Sequence, residues 1–447
     1  MAPDAPPCED RSVRRFFASA LVLSLALTLP LWPLGCGGSA FLAGPSGSDS
    51  GASATTDSSA SDSASGDSGA SDAVSDSPTP AADAPSDGSC HALTASDTDI
   101  YVDSRFAGTP QTGALACPLH TILEGIAAAN MLGGPRTVHV AGSAPALVYD
   151  ESGAVTVGTG ITLLGDGELR TTISASGACM TGTCAVLVQG GGIVDGFTVV
   201  SPNGDGLWTA VGNAAPIVRN VAASGSKDNG IVALGSVQLG PNIVVNDNGG
   251  SGVESPAGAT GTVHVVAGLN TFNANHGNGI DLSGSTALDF EGGTASGNGQ
   301  GIRIASSPPA SHTITGLTAK GNTGPGGLVV YGGQTLKLRS SVLVGNTSSG
   351  MIYDYVNGST LDLGTVGDSG GNTFGGMTGS DRNGASGIML CGAPTVQLAV
   401  GDSWAACPPS QVAVMCGGSA AATYADVLYQ SSVAGLDPVS GACSVGP

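Results

Sequence analysis

Positive charge is scarce in this chain: 13 Lys and Arg stand against 34 Asp and Glu, a formal net charge of −21. Residues 1–36 balance, with three acids and three Arg, whereas residues 37–89 hold eight Asp and no base, and the remainder has 23 acids against 10 bases. An acidic body behind an acidic segment argues against nucleic acid as a partner and gives no reason for attraction to anionic lipid. Divalent cations and neutral sugars remain compatible partners. Aromatic residues are few, at 4%, and charged residues reach only 11%. Gly is abundant, at 73 residues, but follows no strict triplet, so collagen is excluded and a turn-dense β structure is expected. Helical periodicity is missing over most of the length, and no Cys-x-x-Cys occurs to suggest a metal-binding cysteine set.

What the chain does have is a returning phrase. It reads Asn-Gly-Ile at Ile231, Ser-Gly-Val at Val253, Asn-Gly-Ile at Ile280, Gln-Gly-Ile at Ile302, Gly-Gly-Leu at Leu328, Ser-Gly-Met at Met351 and Ser-Gly-Ile at Ile388. The steps are 22, 27, 22, 26, 23 and 37 residues, a repeat with insertions. Most copies carry an Asn shortly upstream: Asn248, Asn275, Asn298, Asn322 and Asn346. Repeats of this length built from strand-type pieces cannot bury a core alone and must stack as a solenoid. Asn and Gly tolerate left-handed backbone angles, so the expectation is that these Asn turn the chain and stack at one corner. The apolar residue after each Gly then starts a strand whose alternate side chains point inward, as with Ile280 and Leu282 or Ile302 and Ile304. Each inward Ile or Leu is worth roughly 1.5–3 kcal/mol on full burial.

The ends read differently. Arg11, Arg14 and Arg15 precede an apolar run from Phe16 to Leu34, followed by Gly35-Cys36. A basic segment, a hydrophobic segment and a small residue form an export-signal layout. With the Cys placed next, this resembles the lipobox of bacterial lipoproteins. The resemblance implies that residues 1–35 are a signal peptide, that Cys36 is lipidated, and that the protein is anchored in a lipid bilayer, the outer membrane of a Gram-negative bacterium. A non-cleaved membrane anchor is the alternative, although Pro30 and Pro33 oppose a regular spanning helix. Residues 36–89, almost entirely Ser, Ala, Asp, Gly, Thr and Pro, read as a disordered tether with a root-mean-square reach of about 40 Å.

From Cys90 the composition changes. Residues 90–136 read as an N-terminal cap, 137–400 as the solenoid and 401–447 as a C-terminal cap containing cysteines. The strand Ile100-Tyr101-Val102-Asp103, the Cys117-Pro118 turn leading into an amphipathic helix from His120 to Leu132, the strand Val138-His139-Val140 and the stretch Ile161-Thr162-Leu163-Leu164-Gly165-Asp166-Gly167 are similar to the N-terminal portion of pectin-lyase-like right-handed parallel β-helix proteins. The resemblance extends over roughly residues 99 to 400. It implies an all-β right-handed parallel β-helix with an N-terminal capping helix and a disulfide-rich C-terminal end. It says little about activity, because that superfamily holds lyases, hydrolases, epimerases, adhesins and members with no known reaction.

Of ten cysteines, Cys8 would leave with the leader and Cys36 would carry lipid. The remaining even count in an exported protein is a disulfide signature, with 105 possible pairings. Proximity favours Cys90 with Cys117, Cys179 with Cys184, Cys391 with Cys407, and Cys416 with Cys443.

Candidate chemistry is confined to one row. The outward residues of successive coils are Val232, Glu254, Asp281, Arg303, Val329, Ile352 and Met389. Glu254, Asp281 and Arg303 would thus stand about 4.8 Å apart along the solenoid. Two carboxylates at that spacing match retaining glycosidases, and clustered carboxylates beside an Arg could hold Ca²⁺, as in the pectate lyases of the superfamily. The opposing reading is a solvated face with an ordinary surface ion pair. No cofactor motif occurs, and the Asn-Thr-Asp, Asp-Asp and Gly-His-Gly signatures of polygalacturonases and the Asp-Pro-His of alginate epimerases are absent. His264, His276 and His312 read as isolated surface or turn residues. Tyr331, Tyr353 and Tyr355 read either as a sugar-stacking patch or, more commonly, as packing residues. The leading expectation is a tethered, non-catalytic binding or structural module directed at polysaccharide or another cell-surface component. The alternative is a polysaccharide lyase or glycoside hydrolase using the acidic row.

Overall fold

Each repeat contributes one short strand to each of two long sheets, and the hydrogen bonds run between successive coils rather than within them. In a computed structural model of the chain, this produces a parallel β-solenoid. The structure describes residues 90–356, 359–376, 379–392, 397–414, 424–430, 436–437 and 444–445. The stretches read as signal peptide (residues 1–35) and tether (36–89, with Cys36), and Cys416 and Cys443, lie outside the described residues.

The first sheet follows the path Asp99–Val102, Arg136–Val140, Ile161–Gly165, Ile193–Val200, Ile217–Ala223, Val237–Leu239, Thr260–Val265, Ser285–Phe290, Ser311–Thr315, Thr335–Arg339 and Thr360–Asp362. The second runs from Val155–Val157 through Thr183–Val188, Asp205–Thr209, Ile231–Ala233, Val253–Ser255, Ile280–Leu282, Ile302–Ile304, Gly326–Val330 and Ser349–Asp354 to Ser386–Cys391 and Ala425–Gln430. Gln411–Val414, although earlier in the chain than Ala425–Gln430, pairs outside it as the edge strand. All these ladders are parallel, and the short pair Gly177–Ala178 with Thr183–Val188 is antiparallel.

Strand alternation decides what is inside. Val253, Ile280, Leu282, Ile302, Ile304, Leu328 and Met351 are fully buried, stacked coil on coil in one continuous apolar core. The core is a mainly aliphatic column interrupted by Tyr149, Phe197, Phe272, Phe290, Tyr353, Phe374 and Trp404. The helix Ile122–Leu132 covers the first coil, burying Ile122, Ile126 and Ala129 against it. It starts two residues later than the apolar pattern suggests because Thr121 is the N-cap. Its hydroxyl accepts from the Glu124 amide (3.1 Å), and the Glu124 carboxylate accepts from the Thr121 amide (3.0 Å). The first sheet already begins with Asp99–Val102, inside the stretch read as a cap.

One corner of the coil is held by a column of amides. In turn, Asn248, Asn275, Asn298, Asn322 and Asn346 each donate both the backbone N–H and Nδ2 to the Oδ1 of the next Asn down, ending on Asn383, at 2.9–3.4 Å. Each Nδ2 gives its second proton to a carbonyl of the adjoining strand, for example Asn298 to Phe272 (2.8 Å). The expected stacking is present, but the expected backbone angle is not at the Asn. The left-handed residue is the one before it: Asp247, Ala274, Gly297, Gly321 and Gly345 have φ of 57°, 54°, 68°, 67° and 61°. That residue makes the turn, which frees the Asn side chain to point inward and bond along the axis.

Candidate functional site

The outward face of the second sheet carries the row read from the sequence. Inward Val253, Ile280 and Ile302 are fixed in the core, so Glu254, Asp281 and Arg303, one residue later, face out. Pairing register sets Val232 beside Glu254, Glu254 beside Asp281, Asp281 beside Arg303 and Arg303 beside Val329. Continuing the row, Ile352 and Met389 are half-buried, and Val329 is buried although it points outward.

The polar side chains are locked by one another. Arg303 donates from one guanidinium nitrogen to Asp281 Oδ1 (2.7 Å) and to Ser283 Oγ (3.0 Å), and Asn278 Nδ2 donates to Asp281 Oδ2 (2.8 Å). One coil earlier, Asn229 Nδ2 is shared between Glu254 Oε2 (2.6 Å) and Asp205 Oδ1 (3.0 Å). The Asp205 carboxylate also accepts the Trp208 indole N–H (2.8 Å). Burial pushes the Glu254 carboxyl above its ordinary range; the charges of Asp281 and Asp205 add to this, and the Asn229 hydrogen bond opposes it. The result is a polar strip of three carboxylates, two amides and a guanidinium over neighbouring coils.

At the N-terminal side the strip meets an apolar patch. Trp208 and Val232 are buried against Leu187, Leu234 and the Cys179–Cys184 disulfide, whose loop places Gly182 over the indole. Asp205 was not singled out from the sequence. Its bond to the Trp208 indole joins residues three apart on one strand, a contact that strand alternation does not announce. At the C-terminal side Tyr331 is half-buried near Arg303. The three tyrosines do not form one stacking patch. Tyr353 is buried in the core, donating to the carbonyls of Thr360 (2.8 Å) and Gln334, and Tyr355 packs edge-on against it at 4.5 Å.

Two histidine readings need correction. His312 is 2% exposed and points into the solenoid, where Nδ1 accepts the Leu288 amide (3.1 Å) and Nε2 lies 3.2 Å from Gln334 Oε1. Burial pushes its pKa down to about 4. His264 is not isolated: Nε2 lies 3.3 Å from Glu291 Oε1 and 3.7 Å from Asp289 Oδ2. His276 is exposed in a turn, as expected.

Among the cysteines, Cys90 is bonded to Cys117 and Cys179 to Cys184, and Cys391 and Cys407 are each in a disulfide. A shallow hollow of about 520 Å³, lined by Gly379, Arg382, Asn383, Gly384 and Tyr424, shares no residue with the acidic row.

Comparison with known proteins agrees with this architecture. A family model described as a right-handed beta helix region matches residues 159–343. The chain therefore contains a right-handed parallel β-helix. Two solved structures from Azotobacter vinelandii are similar to it. The A-module of mannuronan C-5 epimerase AlgE6 is 16% identical over 71% of this chain and 94% of that one, with a TM-score of 0.37. The A-module of mannuronan C-5 epimerase AlgE4 is 16% identical over 73% and 95%, with a TM-score of 0.38. No curated protein matches the sequence.

Proposed function

We propose that this protein is an exported, lipid-anchored β-helix that binds a neutral polysaccharide along the outward face of its second sheet. The observation that carries the reading is the committed state of the polar strip. Both oxygens of Asp281 and both of Asp205 already accept hydrogen bonds from neighbouring side chains, and Arg303 is spent on Asp281 and Ser283. Groups held this rigidly lose little entropy on meeting a ligand, and they offer remaining lone pairs and N–H groups at the axial repeat of the coils, about 4.8 Å. A neutral glycan supplies hydroxyls for both, whereas an anionic one would meet three carboxylates and the acidic body. Residues 1–35, Cys36 and the acidic segment to residue 89 supply the anchor and spacer in this reading. A glycan array probed with the full-length chain tests it: retention on neutral polymers supports the proposal, and retention confined to anionic polymers overturns it.

One observation favours the competing class. Glu254 keeps a raised carboxyl pKa beside ion-paired Asp281 on the next coil. Two carboxyls on adjoining coils, one of them shifted by burial toward keeping its proton, are the arrangement of a retaining glycosidase. In that reading Glu254 would donate the proton and Asp281 would act as nucleophile, and turnover would vanish in Glu254→Gln.

A further inference from the structure

The first sheet presents a second polar constellation, unrelated to the strip. Asp289 and Glu291 are two apart near the end of the strand Ser285–Phe290, so both side chains leave the same face. On the preceding coil His264 pairs with Asp289 in register, which sets the imidazole between the two carboxylates. One ligand atom from each of the three residues lies within 4.8 Å of the other two. His264 Nε2 is shielded from solvent and makes no hydrogen bond among the described residues, although it faces both acids. Glu291 is oriented from behind: its Oε2 accepts the Ala267 amide (3.2 Å), leaving Oε1 toward the histidine. The nearest cation further along the row, Lys337, is two coils away and committed to Asp368 (3.0 Å). Two carboxylates and the His264 Nε2 thus converge on one point.

We infer that His264, Asp289 and Glu291 form a binding site for a divalent transition-metal ion of the Zn²⁺ class. The imidazole decides the class. Ca²⁺ and Mg²⁺ take oxygen ligands, whereas one nitrogen and two carboxylate oxygens are the donors that Zn²⁺ and its neighbours accept, at about 2.0–2.2 Å each. The ligand atoms need only close by a small rotation of exposed Glu291 and half-buried Asp289, with the backbone held by the sheet. Three protein ligands leave a fourth position open, and Gln238, paired with His264 on the other side, stands next in the row. A bound ion there would add a link between two coils already joined by the strand ladder, the Asn275–Asn298 bonds and the Ala267–Glu291 bond.

Calorimetric titration of the metal-free full-length chain with ZnCl₂, in the presence of excess Ca²⁺, tests this. The expected result is one saturable site that Ca²⁺ does not block, weakened at least tenfold in His264→Ala and in Asp289→Asn, both outward substitutions that leave the core intact. Co²⁺ in place of Zn²⁺ should give visible absorption bands in the wild type that disappear in His264→Ala. Absence of saturable binding, or binding and absorption unchanged in both variants, would overturn the proposal.

Discussion

Asn298 accepts, at one oxygen, both the backbone N–H (2.9 Å) and the side-chain Nδ2 (3.1 Å) of Asn275 on the preceding coil. The same pair of bonds recurs below it on Asn322. Removing the amide at 298 leaves the Asn275 donors and the Phe272 carbonyl without partners in a site that is 1% exposed. Each buried group so orphaned costs about 1–3 kcal/mol. Asn298→Ala is therefore expected to lower unfolding stability by at least about 2 kcal/mol, measured by chemical denaturation. A midpoint unchanged by the substitution would contradict the ladder's role.

The corner also predicts a stabilising change. Ala274 stands at φ 54°, where the corresponding residues of the next coils are Gly297 and Gly321. An L-residue in that region costs about 1–2 kcal/mol, offset in part by the unfolded-state freedom of Gly. Ala274→Gly should raise stability by about 0.5–1 kcal/mol. The same change at Ala295, buried in the core with no such angle, should lower it.

Asp402 ends a second, shorter amide column. Its Oδ1 accepts both the backbone N–H (2.9 Å) and Nδ2 (3.0 Å) of Asn372, while Oδ2 is buried without a hydrogen bond among the described residues. Burial pushes its pKa up to about 7. A carboxyl whose folded pKa lies above its unfolded value holds an extra proton in the folded state, so stability falls as pH rises from about 4 to about 7. Asp402→Asn should abolish this loss and stabilise the protein at pH 8 by about 1–3 kcal/mol. Equal pH profiles for wild type and variant in thermal unfolding would refute it.

His312 has the opposite sign. Its folded pKa, about 4, lies below the unfolded value, so the unfolded state binds the extra proton and stability falls as pH drops from about 6.5 to about 4. In the wild type this slope opposes that of Asp402 over the same window. The Asp402→Asn variant should therefore show acid destabilisation that the wild type masks. If its stability is flat between pH 4 and 6.5, the buried neutral imidazole is not the source.

The residues differ in how much of this was legible beforehand. Gly-apolar phrases ending at Ile231, Val253, Ile280 and Ile302 set strand register, and register alone places Glu254, Asp281 and Arg303 in a row. The ladder asparagines show through their nearly constant spacing, four to six residues before the inward apolar residue, but which residue takes the left-handed angle does not. Glycine precedes the Asn in only some coils, and Ala274 carries no signal of its own. His312 was misread because a lone polar residue on a strand gives no sign of facing inward unless its alternation partners, here Leu288 and Leu336 on adjoining strands, are aligned first. His264 and Asp289 stand 25 residues apart, within the range of one coil, and only the solenoid makes that spacing a contact. At the C-terminal end the strand order reverses at Gln411–Val414, which no local pattern announces.

We propose that the face bearing Glu254, Asp281 and Arg303 binds a neutral polysaccharide without transforming it. The most direct test takes the polymer retained by the full-length chain and measures two things on the same sample: affinity by calorimetry and polymer products by chromatography, for wild type and for Asp281→Ala with Arg303→Ala. The expected result is affinity at least tenfold weaker in the double variant, with no change in chain length, unsaturation or anomeric composition of the polymer under either protein. Unaltered affinity in the double variant, or products formed by the wild type and abolished in Glu254→Gln, would contradict it.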